Sequence, residues 1–573
     1  AAPLVPVYYA DGTYGDPSDF GVGNSNLFNP QVTIDFNDQV SRNYRLVANA
    51  YAEIDFAKHF KFRSSLGTNF GQNEIESFTP VYAATLSQRA TISSLSRTRS
   101  EVRDWLLENT VTYQNNFKEH SLNVLVGQGS QYYRTYGYRF GIQNVPTNNN
   151  GERYYSLGDP GTLTFDDTSD DRSSLTTVVS YFGRIGYGFK DRYLLNVTYR
   201  MDGLSKFKDV DKWGYFPSVG AGWIVSRESF MQNQLIFDHL KLRGSWGIVG
   251  NSSVPANLAE QQVSRRNEYA YVDPNGNIFP GSNIDTQIPP STTWEQTIGT
   301  NIGFEAAFLK NKLTAEVDYY QRKTVDAIFA IPILGSLGTQ SGTIIGNQAD
   351  FLNKGWEFLV SWNDQLNENF SYSVSANVSF NQNEVTKVLT GSNPIDVGVG
   401  TTGGATNTRT ILGQPIGIFY GLNVAGIFQS QSDIDSYVSN TGAIIQPTAK
   451  PGDFKYTDMN NDGVIDGKDR VVLGNPNPRV LYGINTNFAY KRFDFTLDLQ
   501  GIGGVEIYNA ALGFRFGTEN FTKDFFDNRW NGEGTSTTYP SANVGGGNNY
   551  VSNSFFVENG SYLRIRNIQV GYT

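Results

Sequence analysis

The chain of 573 residues has no cysteine, three histidines, a net charge of -10, 17% charged residues and 14% aromatic residues. Without cysteine there are no disulfides, thiolate metal sites or cysteine nucleophiles, and the acidic balance provides no basic face for a nucleic-acid groove. High aromatic content excludes disorder, and no run of about 18 apolar residues is present to form a membrane-spanning helix.

In chain order, a polar/apolar alternation of period two predicts fifteen strands. They run 43–56, 60–73, 101–115, 120–135, 174–189, 192–203, 214–225, 238–249, 293–308, 312–325, 353–365, 370–384, 479–490, 493–503 and onward from 562. Leu195, Val197, Tyr199 and Met201, for example, alternate with Asn196, Thr198, Arg200 and Asp202. Most of these strands are longer than the usual 5 or so residues and are long enough to cross a bilayer at a tilt. Connections alternate in size. Ala57-Lys58-His59, Lys190-Asp191 and Lys491-Arg492 are tight, whereas 74–100, 250–292, 385–478 and 504–561 are long. Short turns on one rim, long loops on the other and aromatic residues near strand ends (Tyr187, Phe189, Tyr319, Tyr320, Tyr490) predict an all-β, transmembrane antiparallel β-barrel. An odd strand count leaves an edge that lipid cannot satisfy, so further strands are expected from chain outside 1–573. Ala1-Ala2-Pro3 is not a translation start and fits that expectation.

Within the long 385–478 loop region, Asp458-Met-Asn460-Asn-Asp462-Gly463-Val464-Ile-Asp466-Gly-Lys-Asp469 follows calcium-loop spacing. Asp458, Asn460 and Asp462 supply side-chain oxygens, Gly463 the sharp turn, Val464 a carbonyl, Asp466 a direct or water-mediated ligand and Asp469 the closing carboxylate. No apolar helical pattern flanks the loop, so the expected Ca²⁺ role is structural. An acidic, solvated loop is the alternative, and Asp in place of Glu at the closing position weakens bidentate binding. Gly398, Gly400 and Gly403 match a dinucleotide fingerprint in spacing but lack the strand-to-helix context it requires. His59, His120 and His239 read as solvated turn residues. Asp166, Asp167, Asp170 and Asp171 read as a solvated charge run, and no nucleophile elbow is present. The chain is not expected to be an enzyme.

Several ordered segments together resemble one family. They are YRMDGLSKF at 199–207, YFPSVGAGWIVSRESFM at 215–231, LKLRGSWGIVGN at 240–251, NKGWEF at 353–358 and GQPIGIFYGLNVAGIFQS at 413–430. PGDFKYTDMNNDGVIDGKDRVVLGNPNP at 451–478 and SYLRIRNIQVGYT at 561–573 complete the set. The chain thus resembles the SusC/RagA class of TonB-dependent outer-membrane transporters of Bacteroidetes-type bacteria. The resemblance implies part of a 22-stranded barrel whose plug and N-terminal domains lie outside this sequence. It also implies import of oligosaccharides or peptides, with a SusD-like lipoprotein closing the mouth and a TonB complex acting through the missing N-terminal part. Tyr154, Tyr155, Tyr269 and Tyr271 are then candidates to face ligand or to pack loops together. A second reading makes the chain a non-transporting barrel that serves as the scaffold of a larger outer-membrane complex, motivated by the long loops at 385–478 and 504–561.

Overall fold

The computed structural model describes residues 5–20, 28–146, 153–165, 174–254, 263–284, 287–288, 292–333, 336, 342–389, 395, 407–512, 521–542 and 547–572. Fifteen strands form one antiparallel sheet in which each strand pairs with the next wall strand of the chain. They are β1 Asp38–Phe56, β2 Phe60–Thr79, β3 Ser94–Phe117, β4 His120–Gln143, β5 Ser174–Phe189, β6 Tyr193–Leu204, β7 Trp213–Ile224 and β8 His239–Gly250. The path continues through β9 Gln296–Phe308, β10 Leu313–Pro332, β11 Thr343–Asn367, β12 Phe370–Val388, β13 Val480–Tyr490, β14 Phe493–Gly503 and β15 Tyr562–Tyr572. A short strand, Thr164–Phe165, pairs with the far end of β4.

All fifteen expected strands are present, several longer than the alternation alone predicts. β3 starts at Ser94 rather than 101, and β11 at Thr343 rather than 353. Both extensions lie toward the long-loop rim, where neither face needs to be apolar and pairing alone sustains the ladder. The expected loop 74–100 therefore shrinks to the residues between Thr79 and Ser94, with a small hairpin of Tyr82–Ala83 and Arg89–Ala90. The connection from β8 to β9 carries its own hairpin, Val263–Val272 with Ile278–Ile284.

Register fixes which side chains share a face. On β1, Tyr44, Leu46, Ala48, Ala50, Ala52, Ile54 and Phe56 lie on one face, continued on β2 by their partners Phe60, Phe62, Leu66 and Phe70. The other face of β1 carries Arg45, Asn49, Glu53 and Asp55. Because the period is two, every strand presents one stripe to lipid and one to the lumen.

Two aromatic belts bound the apolar stripe. At the short-turn rim, Phe56 stacks on Phe60 and Phe60 meets Tyr113, with centroids 5.5 and 4.9 Å apart. Phe117, His120, Phe189, Tyr193 and Trp223 continue this row. On the other side, Trp105 stacks on Tyr132 at 5.8 Å, Tyr181 on Trp213 at 6.4 Å, and Tyr319 meets Trp356 at 5.0 Å. From Tyr113 to Trp105 the strand rises roughly 26 Å at about 3.3 Å per residue, or about 20 Å along the membrane normal at the usual tilt. Rings of this amphipathic kind settle at the two bilayer interfaces. The tight turns reverse with both central residues in the left-handed region, as in Ala57 and Lys58 (φ 46° and 66°) and Lys190 and Asp191 (φ 56° and 51°). That geometry matches the twist of the paired strands.

Candidate functional site

The lumenal face is built from the polar alternation. On β8, β9 and β10, Arg243 Nη2 donates to Asp318 Oδ2 at 2.7 Å, and Lys241 pairs with Glu305 at 3.0 Å. Arg243 reaches across β9 because Gly303 stands between the two strands; a Cβ there would lie 2.3 Å from Asp318 Oδ1. Toward the long-loop rim the Tyr320 hydroxyl donates to Asn381 Oδ1 at 3.0 Å, passing over Gly355. Beside it lies a recess of about 750 Å³ whose lining includes Arg322, Asn353, Glu357, Asn377, Ser379 and Gln500. Amides, hydroxyls and both signs of charge on a fixed sheet suit a hydrophilic solute or a polar protein surface.

Above this wall the two longest loops fold as one unit. Leu422 N–H donates to Ser552 O at 2.9 Å, and Ser554 N–H returns to Leu422 O at 3.0 Å. Phe454 N–H donates to Asn549 Oδ1 at 2.8 Å, and the Tyr456 hydroxyl donates to Asn548 O while accepting from Asn553 Nδ2 at 3.1 Å. Leu422, Ile427, Phe454 and Tyr456 form a core with Trp530, Val551 and Phe555, and Phe428 packs separately with Ile434 and Ala449. Burial pushes the Tyr456 phenol far above its ordinary range and raises the Asp453 carboxyl.

The calcium-type loop lies at the edge of this unit. Asp458 Oδ2 accepts from Gly463 N–H at 2.8 Å, with Gly463 at φ 87° making the sharp turn. Buried Asp469 accepts from Met459 N–H at 2.9 Å through Oδ1 and from Asp466 N–H at 2.8 Å through Oδ2. Asp462 accepts from Asn460 Nδ2 at 2.9 Å and from Val464 N–H at 3.1 Å, and Asp466 Oδ1 accepts from Lys468 N–H at 2.7 Å. Asp458 Oδ1 is buried with no hydrogen-bond partner. Among the described residues no three acidic or histidine side chains converge as a metal-binding group.

The remaining expected residues fall in varied surroundings. Tyr154 is exposed, whereas Tyr155 is half-buried against the cluster of Phe78, Leu95, Ile142 and Val145 and donates to Phe140 O at 3.2 Å. Tyr155 is thus a loop-packing residue. For Tyr269 and Tyr271 only the backbone, in the Val263–Val272 strand, is described. Asp166, Asp167, Asp170, Asp171, Gly398, Gly400 and Gly403 lie outside the described residues. His59 is an exposed turn residue, but His120 joins the lower aromatic belt with its Nδ1 2.7 Å from the Tyr187 hydroxyl. The lumenal residues Asp318, Tyr320 and Asn381 lie in none of the family segments, and Arg243 lies in LKLRGSWGIVGN without its role being marked; strand parity was the signal that could have found them.

A family model described as TonB dependent receptor-like, beta-barrel matches residues 4–573. The chain belongs to the TonB-dependent receptor family. Two relatives place this receptor more finely. TonB-dependent receptor P26 of Formosa agariphila is 30% identical over 577 residues, covering 100% of this chain and 56% of the relative. TonB-dependent receptor SusC of Bacteroides thetaiotaomicron is 30% identical over 401 residues, 69% of this chain and 38% of that one. The structure of the RagAB peptide transporter superposes with a TM-score of 0.79 at 19% identity, over 95% of this chain and 57% of that chain. The chain spans little more than half the length of such receptors. Its sheet is the wall of a SusC/RagA-type outer-membrane barrel.

Proposed function

We propose that the full-length receptor imports large hydrophilic nutrients, oligosaccharides or peptides, across the outer membrane. A SusD-like surface lipoprotein closes over the long-loop rim, and a TonB complex supplies energy through residues outside this chain. The observation that carries this reading is the family match over residues 4–573, together with the 30% identity to a SusC receptor over 69% of the chain. The polar lumenal wall, with its recess beside Tyr320 and Arg322, supports it chemically. RagAB, whose barrel shares this fold, is a peptide transporter, which favours peptides alongside glycans as cargo. Deleting the full gene should abolish growth on one polymer class and leave growth on its monomers intact. Normal growth on every glycan and peptide source tested contradicts the proposal.

The folded loop unit favours a second reading, in which it is a docking platform and the barrel a scaffold. That reading requires several stably bound partners and an empty lumen.

We further propose a structural Ca²⁺ in the 458–469 loop. The donors are hard oxygens, and buried Asp458 Oδ1 lacks a partner that a cation would supply. Asp458, Asn460, Asp462, Asp466 and Asp469, with the Val464 carbonyl, would hold it. Bound there, the cation would neutralise the acidic turn and fix it against the loop unit.

A further inference from the structure

The outward stripe of β3 does not end at the upper aromatic belt. Tyr113, Val111, Leu107 and Trp105 share a face, and the next three side chains on it are Arg103, Glu101 and Arg99. On β4, Tyr132 stands opposite Trp105, Arg134 opposite Arg103, and Tyr136 opposite Glu101. Three guanidinium groups therefore stand just above the belt, on the side of the sheet that faces away from the lumen.

Their arrangement is fixed. Glu101 is buried, its side chain 5% exposed, with Arg103 Nε 2.5 Å from Oε1 and Arg99 Nη2 3.9 Å from Oε2. Arg103 Nη2 also donates to the Tyr136 hydroxyl at 2.9 Å, and Arg99 Nη2 to Gln72 Oε1 at 2.9 Å. Arg134 lies 5.3 Å from the centroid of the Tyr136 ring. A buried carboxylate held by two arginines aligns them without cancelling their charge, and Arg134, opposite Arg103 on β4, adds a third guanidinium. Farther up, Arg97 is balanced by Glu74 and Glu76. This local excess of positive charge stands in a chain whose net charge is -10.

Height selects the partner. Each pair of residues advances about 6.6 Å along a strand, so Arg103 and Arg134 sit roughly 5 Å above the Trp105 level and Arg99 roughly 15 Å above it at the usual tilt. That interval is where lipid headgroups lie, and basic clusters beside an interface bind anionic headgroups. Guanidinium forks match phosphate oxygens in bidentate geometry. We propose that Arg99, Arg103 and Arg134 form a seat on the outer wall of the barrel for the phosphate groups of an outer-leaflet glycolipid. The site faces the lipid annulus, so it is separate from the import path and holds whether or not the import proposal does.

The test uses full-length receptor, extracted from its membrane in mild detergent, delipidated and placed in nanodiscs containing bis-phosphorylated lipid A. Native mass spectrometry after release counts the lipid retained. Wild type should keep phosphorylated lipid A and lose dephosphorylated lipid A. Arg103→Gln with Arg134→Gln should lower occupancy by about tenfold, a loss of about 1.4 kcal/mol in affinity, while the double Lys variant keeps most of it. Equal retention of dephosphorylated lipid, or by the Gln variant, overturns the proposal. Capture of inorganic phosphate without retention of lipid assigns the site to a free anion and overturns it too. If the Gln variant fails to assemble, the dephosphorylated-lipid arm on wild type decides.

Discussion

Gly355 shows how little room the lumenal wall leaves at one position. A Cβ there would sit 2.1 Å from Phe380 O and 2.7 Å from the Tyr320 hydroxyl, whereas at Gly220 the nearest atom would be 3.7 Å away. Gly355→Ala should therefore lower the stability of the assembled receptor by about 1–3 kcal/mol, and Gly220→Ala by much less. The temperature at which the folded band is lost in a heat-modifiability gel reads both. Asp453 gives a pH dependence. Burial raises its carboxyl above the ordinary 3.8, so the unfolded chain releases this proton at lower pH than the folded one. The group therefore favours the folded loop unit in acid, and that contribution falls as pH rises above about 4 and through the raised folded value. Asp453→Asn should flatten the decline, measured as amide exchange at Phe454 across that interval. At the calcium-type loop, replacing Asp458 and Asp462 by Ala should make the 458–469 segment protease-sensitive in calcium. Unchanged cleavage with and without chelator would sink the calcium proposal.

At the scale of elements, the strands were legible because lipid on one side and water on the other impose a period of two. Leu195, Val197 and Tyr199 on β6 show it without interruption. The upper parts of β3 and β11 were not legible, because beyond the hydrocarbon core both faces meet polar surroundings and residues such as Arg97, Arg99 and Asn347 break the alternation without breaking the ladder. The loop unit was hidden for a different reason. Its core joins Phe454 and Tyr456 to Val551 and Phe555, residues about a hundred positions apart with no local period. The calcium-type spacing was visible in the sequence, but the engagement of Asp469 with Met459 and Asp466 backbone was not. Phe454→Ala should remove a fully buried ring at about 3–5 kcal/mol and open the loop unit while the strands stay assembled. Limited proteolysis should then cut between 407 and 479 in a receptor that still shows its folded gel mobility. Loss of both together would mean that the loops and the wall fold as one.

For the whole molecule, the wall explains residence in the outer membrane, since each strand turns one face to lipid and the other to a polar lumen. Fold family and location were recoverable from ordered sequence segments, because the short turns and the alternation are dictated by the membrane rather than by cargo. Under the import proposal, cargo is selected by lumenal side chains such as Arg322 and Asn381, which fill a parity rather than a motif. The most direct test of the import proposal is mass spectrometry of everything that co-purifies with the full-length receptor gently extracted from native outer membranes. The proposal predicts one lid-type lipoprotein with bound oligosaccharide or peptide. Several other membrane proteins with no ligand would contradict it and make the barrel a scaffold.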